Sequence, residues 1–185
     1  MSNELIISSS QGGSRIALLR DKQLSEFHHE DEGTKFKVGD IFLGTVNKVV
    51  PGLNAAFIDV GYEKDAFLHY FDLGPQFKSL SKFTHFALTC KNSTGNLSKF
   101  KLEKDIDKLG KIGQVLSKND KVLVQVVKEP ISTKGPRLSS EISIAGRYLI
   151  LTPFSNTVNI SKRIANRDER KRLVRLVSSI KPENF

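Results

Sequence analysis

Val38-Gly39-Asp40-Ile41-Phe42-Leu43-Gly44-Thr45-Val46-Asn47-Lys48-Val49-Val50, the turn Pro51-Gly52, and the return Ala55-Ala56-Phe57-Ile58-Asp59-Val60-Gly61 decide the fold of this chain. The first stretch is long and rich in β-formers, Pro51-Gly52 interrupts it, and Gly61 opens the next bend. Asp65-Ala66-Phe67-Leu68-His69 reads as a third strand. Short strands with glycines at their bends build a small coiled barrel, because a residue without Cβ relieves the backbone at a sharp corner. Strands resume at 121–128 and near 138–144, and Ile131-Ser132-Thr133-Lys134-Gly135-Pro136 makes a basic loop between them.

Outward from the barrel the pattern changes on both sides. Residues 4–7 and 14–19 read as strands joined at Gly12-Gly13, with another strand at 23–27. His28-His29-Glu30-Asp31-Glu32-Gly33 follows as a polar loop. Its adjacent histidines make a poor metal pair, since neighbours on extended backbone face opposite ways. Residues 72–117 lose the strand pattern and are rich in Lys, Ser, Asn and Gly, with Phe77, Phe83, Phe86 and Phe100 scattered among them. The stretch is too long for an ordinary loop, so an insertion with some structure of its own is expected, including a short helix over 99–109. Residues 147–152 form a strand closed by Pro153. Asn166 caps a helix with Glu169 in the capping-box position, and Leu173, Leu176, Val177 and Ile180 give it one apolar face.

The 185 residues suffice for one ordinary domain or two small ones. Hydrophobic residues at 38% and charged ones at 26% are a soluble globular composition. Twenty-nine Lys and Arg against 20 Asp and Glu leave a formal charge of +9, the footprint of a polyanion binder, with an anionic membrane surface as the lesser alternative. The excess is concentrated from Arg147 onward, where nine basic residues face three acidic ones. Whether Arg167-Asp168-Glu169-Arg170-Lys171-Arg172 is a solvated helix face or an RNA contact stays open at this level. Cys90 is the only cysteine, which rules out an internal disulfide and a Cys-rich zinc site and fits a reducing, cytoplasmic setting. Leu5-Ile6-Ile7 stops at three serines, short of a signal-peptide core, and no window approaches a membrane span.

The chain has no Gly-rich phosphate loop, no Gly-x-Ser-x-Gly elbow and no His-Glu-x-x-His. Asp40, Asp59 and Asp65 would suit a two-metal carboxylate site, but Asp40 follows a Val-Gly turn and Asp59 ends a strand before Gly61, places where Asp forms turns. His69 and His85 have no evident partner. No catalytic residue and no metal ligand is therefore assigned. The aromatic and basic residues say more. Unpaired bases stack on exposed rings at about 1–3 kcal/mol each while Lys and Arg track phosphates. Phe57 and Phe67 lie on successive strands, and Lys128 and Lys134 flank the later loop, an arrangement able to form such a face. Both rings as core is the alternative, and it stays open too.

These residues carry a resemblance. Val38-Gly39-Asp40-Ile41 through Gly44-Thr45-Val46, then Ala55-Ala56-Phe57-Ile58-Asp59-Val60-Gly61 and Ala66-Phe67-Leu68, resemble an OB-fold domain of the ribosomal-protein S-one type. The Ala-Ala-Phe-Ile-Asp-Val-Gly version is similar, more narrowly, to the ribonuclease E/G family. Asn3-Glu4-Leu5-Ile6-Ile7 with Arg15-Ile16-Ala17-Leu18-Leu19 resembles that family's opening hairpin. Ile142-Ser143-Ile144-Ala145-Gly146-Arg147-Tyr148-Leu149 resembles its post-barrel strand, and Ile160-Ser161-Lys162-Arg163-Ile164 its Ile-Ser-Arg-Arg-Ile segment, with Lys for the first Arg. The resemblance spans the chain except for 72–117, which is longer than the family's pattern.

The resemblance implies an α+β, β-rich fold. A five-stranded OB-fold barrel at 37–139, carrying the 72–117 insertion, would sit within a partial RNase H-like subdomain made of 1–36 and 140–185. It implies single-stranded RNA as partner, stacked on Phe57 and Phe67 with Lys134 on its backbone. Gly146, Ile150 and Arg163 would belong to a partial pocket for a 5′-phosphate, with Ile150 standing where the family has Val. The Arg-Thr pair that grips the phosphate would lie beyond Phe185. So would the family's Mg²⁺-binding carboxylates and the cysteines that share Zn²⁺ between subunits of a homo-oligomer. This chain would then be one cut short that binds RNA for an endoribonuclease without cutting it, and it needs no cofactor of its own. A stand-alone OB-fold RNA-binding module, such as a translation or transcription factor, is the alternative. An assembly piece that makes contact through 72–117 and has no RNA affinity is another.

Overall fold

A computed structural model describes residues 2–10, 13–31, 36–89 and 100–185. The chain divides into two compact units, Met1–Lys37 and Val38–Phe185. The first is an antiparallel sheet of three strands in sequence order, β1 (Asn3–Ser10), β2 (Gly13–Arg20) and β3 (Gln23–Asp31). Asp21 and Lys22 both take left-handed backbone, φ 47° and 64°, and make the two-residue turn whose twist matches the strands it joins. β3 corrects the expected polar loop. His28 and His29 are strand residues paired with Ile16 and Arg15, because the ladder to β2 outweighs their polar composition. Gly12, Glu32 and Gly33 lie outside the described residues.

The second unit is built on β4 (Ile41–Val50), β5 (Ala55–Asp59) and β6 (Ala66–His69), then helix α1 (Phe77–Thr89), then β7 (Lys121–Lys128) and β8 (Arg137–Ser139). The five strands close a barrel in the order β4-β5-β6-β8-β7, with β7 returning to β4 and β6 running parallel to β8. That is the strand order of an OB-fold, and the chain is α+β and strand-rich as the sequence implies. Val46, Ile58, Leu68, Val124 and Leu138 fill the barrel at 0% exposure. Gly44 allows β4 and β5 to approach closely. A Cβ there would lie 2.4 Å from Ile58 Cγ2 and 3.1 Å from the Asp59 carbonyl.

Described residues of the 72–117 stretch are part of this core. Leu73, Phe77, Ile112 and Leu116 join the barrel cluster at 3% exposure or less. Asn54 Oδ1 accepts the Ile112 amide at 2.6 Å, and its Nδ2 donates to the Gly110 carbonyl at 3.1 Å. Tyr70 donates its hydroxyl to the Asp107 carbonyl at 2.5 Å, and burial, with the Asp107 charge behind it, raises the hydroxyl above its ordinary pKa. The helix of this stretch spans 77–89. The one expected over 99–109 is absent from residues 100–109, and Lys99 lies outside the described residues. The amides that would propagate it are held elsewhere, Glu103 N–H by Ser79 Oγ at 2.9 Å and Ile106 N–H by the Pro75 carbonyl at 3.0 Å.

A smaller core of Leu80, Ile142 and Phe154 joins α1 to the chain beyond the barrel, and Phe83, Phe100 and Phe154 meet there at 5.6–5.9 Å. β9 (Ile144–Ala145) and β10 (Ile150–Leu151) form a short ladder, so the strand expected over 147–152 keeps only two residues. Helix α2 (Arg167–Ile180) starts at Asn166, whose Oδ1 accepts the Asp168 and Glu169 amides. The Glu169 carboxylate turns to Arg172 at 2.7 and 2.8 Å, so the expected box is capped on one side only. Leu173 and Val177 are half-buried on the apolar face, but Leu176 and Ile180 are exposed. Among the described residues no helix is long and apolar enough to cross a membrane.

Candidate nucleic-acid interface

Alternation on β5 and β6 settles where the two phenylalanines point. Ala56, Ile58, Ala66 and Leu68 are all 0% exposed inside the barrel, so Phe57 and Phe67 stand on its outer surface, half-buried. They are directly paired across the two strands, with ring centroids 5.8 Å apart in an edge-to-face contact of 69°.

The rungs on either side complete a row. Lys48 of β4 pairs with Phe57, Phe67 pairs with Arg137 of β8, and Arg137 pairs with Lys128 of β7. Two irregularities in register aim the lysines. Val46 and Val126 point inward, and strict alternation would turn Lys48 and Lys128 inward with them. Register shifts between Val46 and Lys48 and between Val126 and Lys128 insert one residue in each strand and reverse the sense. Both lysines are exposed. The face therefore reads Lys48, Phe57, Phe67, Arg137, Lys128 across the five barrel strands.

Two further rings extend it along β6. His69 lies 6.4 Å from Phe67 and 5.0 Å from Phe71, which is 71% exposed. His69 Nδ1 accepts the Phe71 amide at 3.2 Å, which in the neutral ring leaves Nε2 as the donor. Arg137 is held by a two-pronged pair with Asp72, Nε to Oδ2 at 3.0 Å and Nη2 to Oδ2 at 2.9 Å. Its guanidinium keeps a planar face while its charge is partly neutralised.

Lys134 is exposed on the tight turn closed by the Ile131 and Lys134 backbone pair. Gly135 beside it packs so closely on the loop before β6 that a Cβ would come 2.3 Å from the Asp65 carbonyl. The Pro136 carbonyl then accepts the Phe67 amide at 2.9 Å, which ties the Lys134 loop to the aromatic pair. The carboxylates weighed for metal binding form turns and cross-links. Asp59 Oδ1 accepts the Gly61 amide at 2.9 Å where Gly61 has φ +81°, and Asp65 Oδ1 accepts Asn47 Nδ2 at 2.9 Å. Among the described residues no three His, Cys, Asp or Glu side chains gather around a common point, so no step through a metal is derived for them.

Of the residues singled out in the sequence, Phe57, Phe67 and Lys128 thus share one row, with Lys134 on the adjoining loop. Lys48, His69, Phe71 and Arg137 belong to the same surface and were not singled out for it. Gly146, Ile150 and Arg163 lie apart from it. The Gly146 amide donates to the Leu149 carbonyl in the β9–β10 turn, and Ile150, 71% exposed, lines a cleft of about 650 Å³ beside α2. Arg163 is exposed on a turn closed by its amide on Ser161 Oγ, and neither it nor Gly146 lines that cleft.

A model of the Ribonuclease E/G family matches residues 143–185. The chain is 35% identical to Ribonuclease G of Salmonella typhimurium over 178 residues, covering 96% of this chain and 32% of that protein. It is 37% identical to Ribonuclease G of Haemophilus influenzae over 174 residues, 94% of this chain and 32% of that protein. It is 40% identical to Ribonuclease E of a Synechocystis strain over 147 residues, 79% of this chain and 18% of that protein. The chain thus spans about a third, or less, of the length of these relatives.

Proposed function

From a chain that belongs to the ribonuclease E/G family, we propose an RNA-holding role: the barrel grips single-stranded RNA for an endoribonuclease and does not itself cut it. The observation that carries this reading is the row Lys48, Phe57, Phe67, Arg137, Lys128 on the barrel's outer face. Two adjacent rings offer stacking to successive bases, and the cations on either side suit the phosphates that run past them. Stacking requires splayed bases, so the face favours single strands over duplex. The chemistry of cleavage, with the Mg²⁺ and Zn²⁺ implied by the family, is assigned in this reading to sequence other than these 185 residues. Gly146, Ile150 and Arg163 remain the proposed contribution to a 5′-phosphate pocket, and a reducing cytoplasmic setting fits the single cysteine.

The test is fluorescence anisotropy of labelled single-stranded RNA, with duplex as control, across a salt series, for wild type and Phe57→Ala/Phe67→Ala. The expected result is a preference for single strands that the double variant loses while its salt slope stays the same, because no phosphate contact has been removed. Equal affinity for both RNAs, untouched by the Phe substitutions, would sink the stacking face. Incubation of the same protein with RNA and Mg²⁺ should leave the RNA intact.

A further inference from the structure

Helix α1 has a second face that the barrel core does not use. Lys78, Ser81, Lys82, His85 and Leu88 recur at i, i+3, i+4, i+7 and i+10, one stripe of an α-helix. They form one wall of an open cleft of about 650 Å³ whose other wall is the chain from Gln114 to Lys121. The chemistry of this cleft is one-sided. Three ammonium groups, an imidazole, two carboxamides and a hydroxyl face it, against the single carboxylate of Asp120, which already accepts the Ser117 amide at 2.7 Å. Lys82 is paired with Glu103, and Lys121 donates one N–H to Thr45 Oγ1 at 2.6 Å, keeping two. Among the described residues the side chains of Lys78 and His85 have neither a hydrogen bond nor a carboxylate within 4.0 Å. Buried anchors hold both walls in place, Phe77 and Leu80 on α1, Ile112 just before the facing segment and Leu116 within it, all at 5% exposure or less. An excess of cationic donors over acceptors, with Glu103 the carboxylate whose charge reaches Lys78 and Lys82, suits a ligand that brings oxygen acceptors and negative charge.

We infer that this cleft is a second contact for the RNA phosphate backbone, distinct from the aromatic row; the inference rests on the RNA-binding reading above. Lys121 opens β7 opposite Thr45 of β4, three residues before Lys48, and Lys128 closes β7. At ~3.3 Å per residue the cleft therefore lies about 10 Å along β4 from the Lys48 end of the row and about 23 Å along β7 from its Lys128 end. A trinucleotide seated on Phe57 and Phe67 is used up on the two rings and does not reach the cleft, and a longer RNA does. RNA length is therefore the variable that separates the two sites.

The experiment measures binding of a labelled trinucleotide and of an RNA of about 25 nucleotides across a salt series. It compares wild type with Lys78→Gln/Lys121→Gln, and with the same pair in a Phe57→Ala/Phe67→Ala background. Both lysines are exposed, and an unchanged urea midpoint checks that the fold is intact. The expected result is several-fold weaker binding of the long RNA only, with a salt slope shallower by about 1.4, two phosphate contacts at ~0.7 each for a single strand. The slope change should persist in the Phe background. A long-RNA slope that does not move overturns the inference, as does equal weakening for both lengths, which would make the lysines part of a general field. A lysine-dependent slope combined with indifference to the Phe substitutions would keep the cleft and sink the stacking face.

Discussion

Phe67→Ala and Leu68→Ala remove adjacent side chains of one strand that point in opposite directions, and they should fail in opposite assays. Leu68 is 0% exposed at the barrel centre, so truncation loses its transfer free energy and leaves a cavity, about 2–5 kcal/mol of stability. Phe67 is half-buried on the outside and loses mainly its edge-to-face contact with Phe57, about 0.5–1.5 kcal/mol, plus part of its covered area. In urea titrations of equal slope, Leu68→Ala should cost clearly more than Phe67→Ala. In RNA titrations well below the midpoint the ranking should reverse. Phe67→Ala gives up one base stack, about 1–3 kcal/mol or roughly 5- to 140-fold in Kd, and Leu68→Ala changes little. If Phe67→Ala proves as destabilising as Leu68→Ala and leaves RNA affinity within about twofold, the ring is core and the outward face has been misread.

Other perturbations have equally definite outcomes. Asp72→Asn frees Arg137 from its paired fork, while the Asp72 carbonyl still accepts Ser140 N–H and Ser139 Oγ–H. RNA affinity should rise and its salt slope steepen by about 0.7, at a stability cost of roughly 1 kcal/mol or less; an unchanged slope removes Arg137 from the interface. Gly110→Ala brings a Cβ to 2.0 Å from the Tyr70 hydroxyl oxygen, in a ring only 3% exposed. A loss of about 1–3 kcal/mol in urea is expected, and tolerance within about 0.5 kcal/mol would mean that the 72–117 stretch is not tied to the core. Asn166→Ala should cost about 1 kcal/mol, read as faster amide exchange in the first turn of α2; unaltered exchange there would show that Arg170, which donates to the Ile160, Ser161 and Ile164 carbonyls, holds the turn alone. Acid should act through two exposed carboxylates. The hydrogen bond from Lys82 and then its charge lower Glu103 below the ordinary 4.5, and the hydrogen bond from Arg172 lowers Glu169. Their contribution is complete above 4.5 and lost as pH falls through the lower folded values, so Glu103→Gln should lower stability slightly at neutral pH, flatten part of the acid limb and match wild type once the carboxylate is protonated, read from urea midpoints across pH.

The barrel was legible because β-rich runs separated by Pro51-Gly52 and Gly61 can close in few ways. The direction of its rings was not. Alternation divides β5 into Ala56 and Ile58 on one side and Ala55, Phe57 and Asp59 on the other, yet both sides carry apolar residues, and only the closed cylinder shows that the smaller ones fit inside. Lys48 escaped notice for a related reason. Counting by twos from Val46 turns it inward, and the inserted residue that reverses it has no signature in Asn47. Arg137 meets Phe67 through a parallel pairing of strands far apart in sequence, which no local pattern announces. His69, partnerless in the sequence, finds its partner two residues on, in the Phe71 amide.

The 72–117 stretch was the least legible because its apolar residues do two jobs at different places. A five-stranded barrel is open at its ends, and Leu73, Phe77 and Ile112, none more than 2% exposed, join the cluster that fills it. Leu80 and Phe83, on the same side of α1, instead meet Ile142 and Phe154 beyond the barrel. Spread among lysines and serines, these contacts look like the sparse hydrophobicity of a loop. Their placement has a consequence for function. α1 is fixed from behind by two cores, so the Lys78–Lys82–His85 stripe on its other side is presented at a set distance from β7. A change at Phe77 or Leu80 should therefore disturb long-RNA binding before it reaches the aromatic row, whose strands are held by Ile58, Leu68 and Leu138.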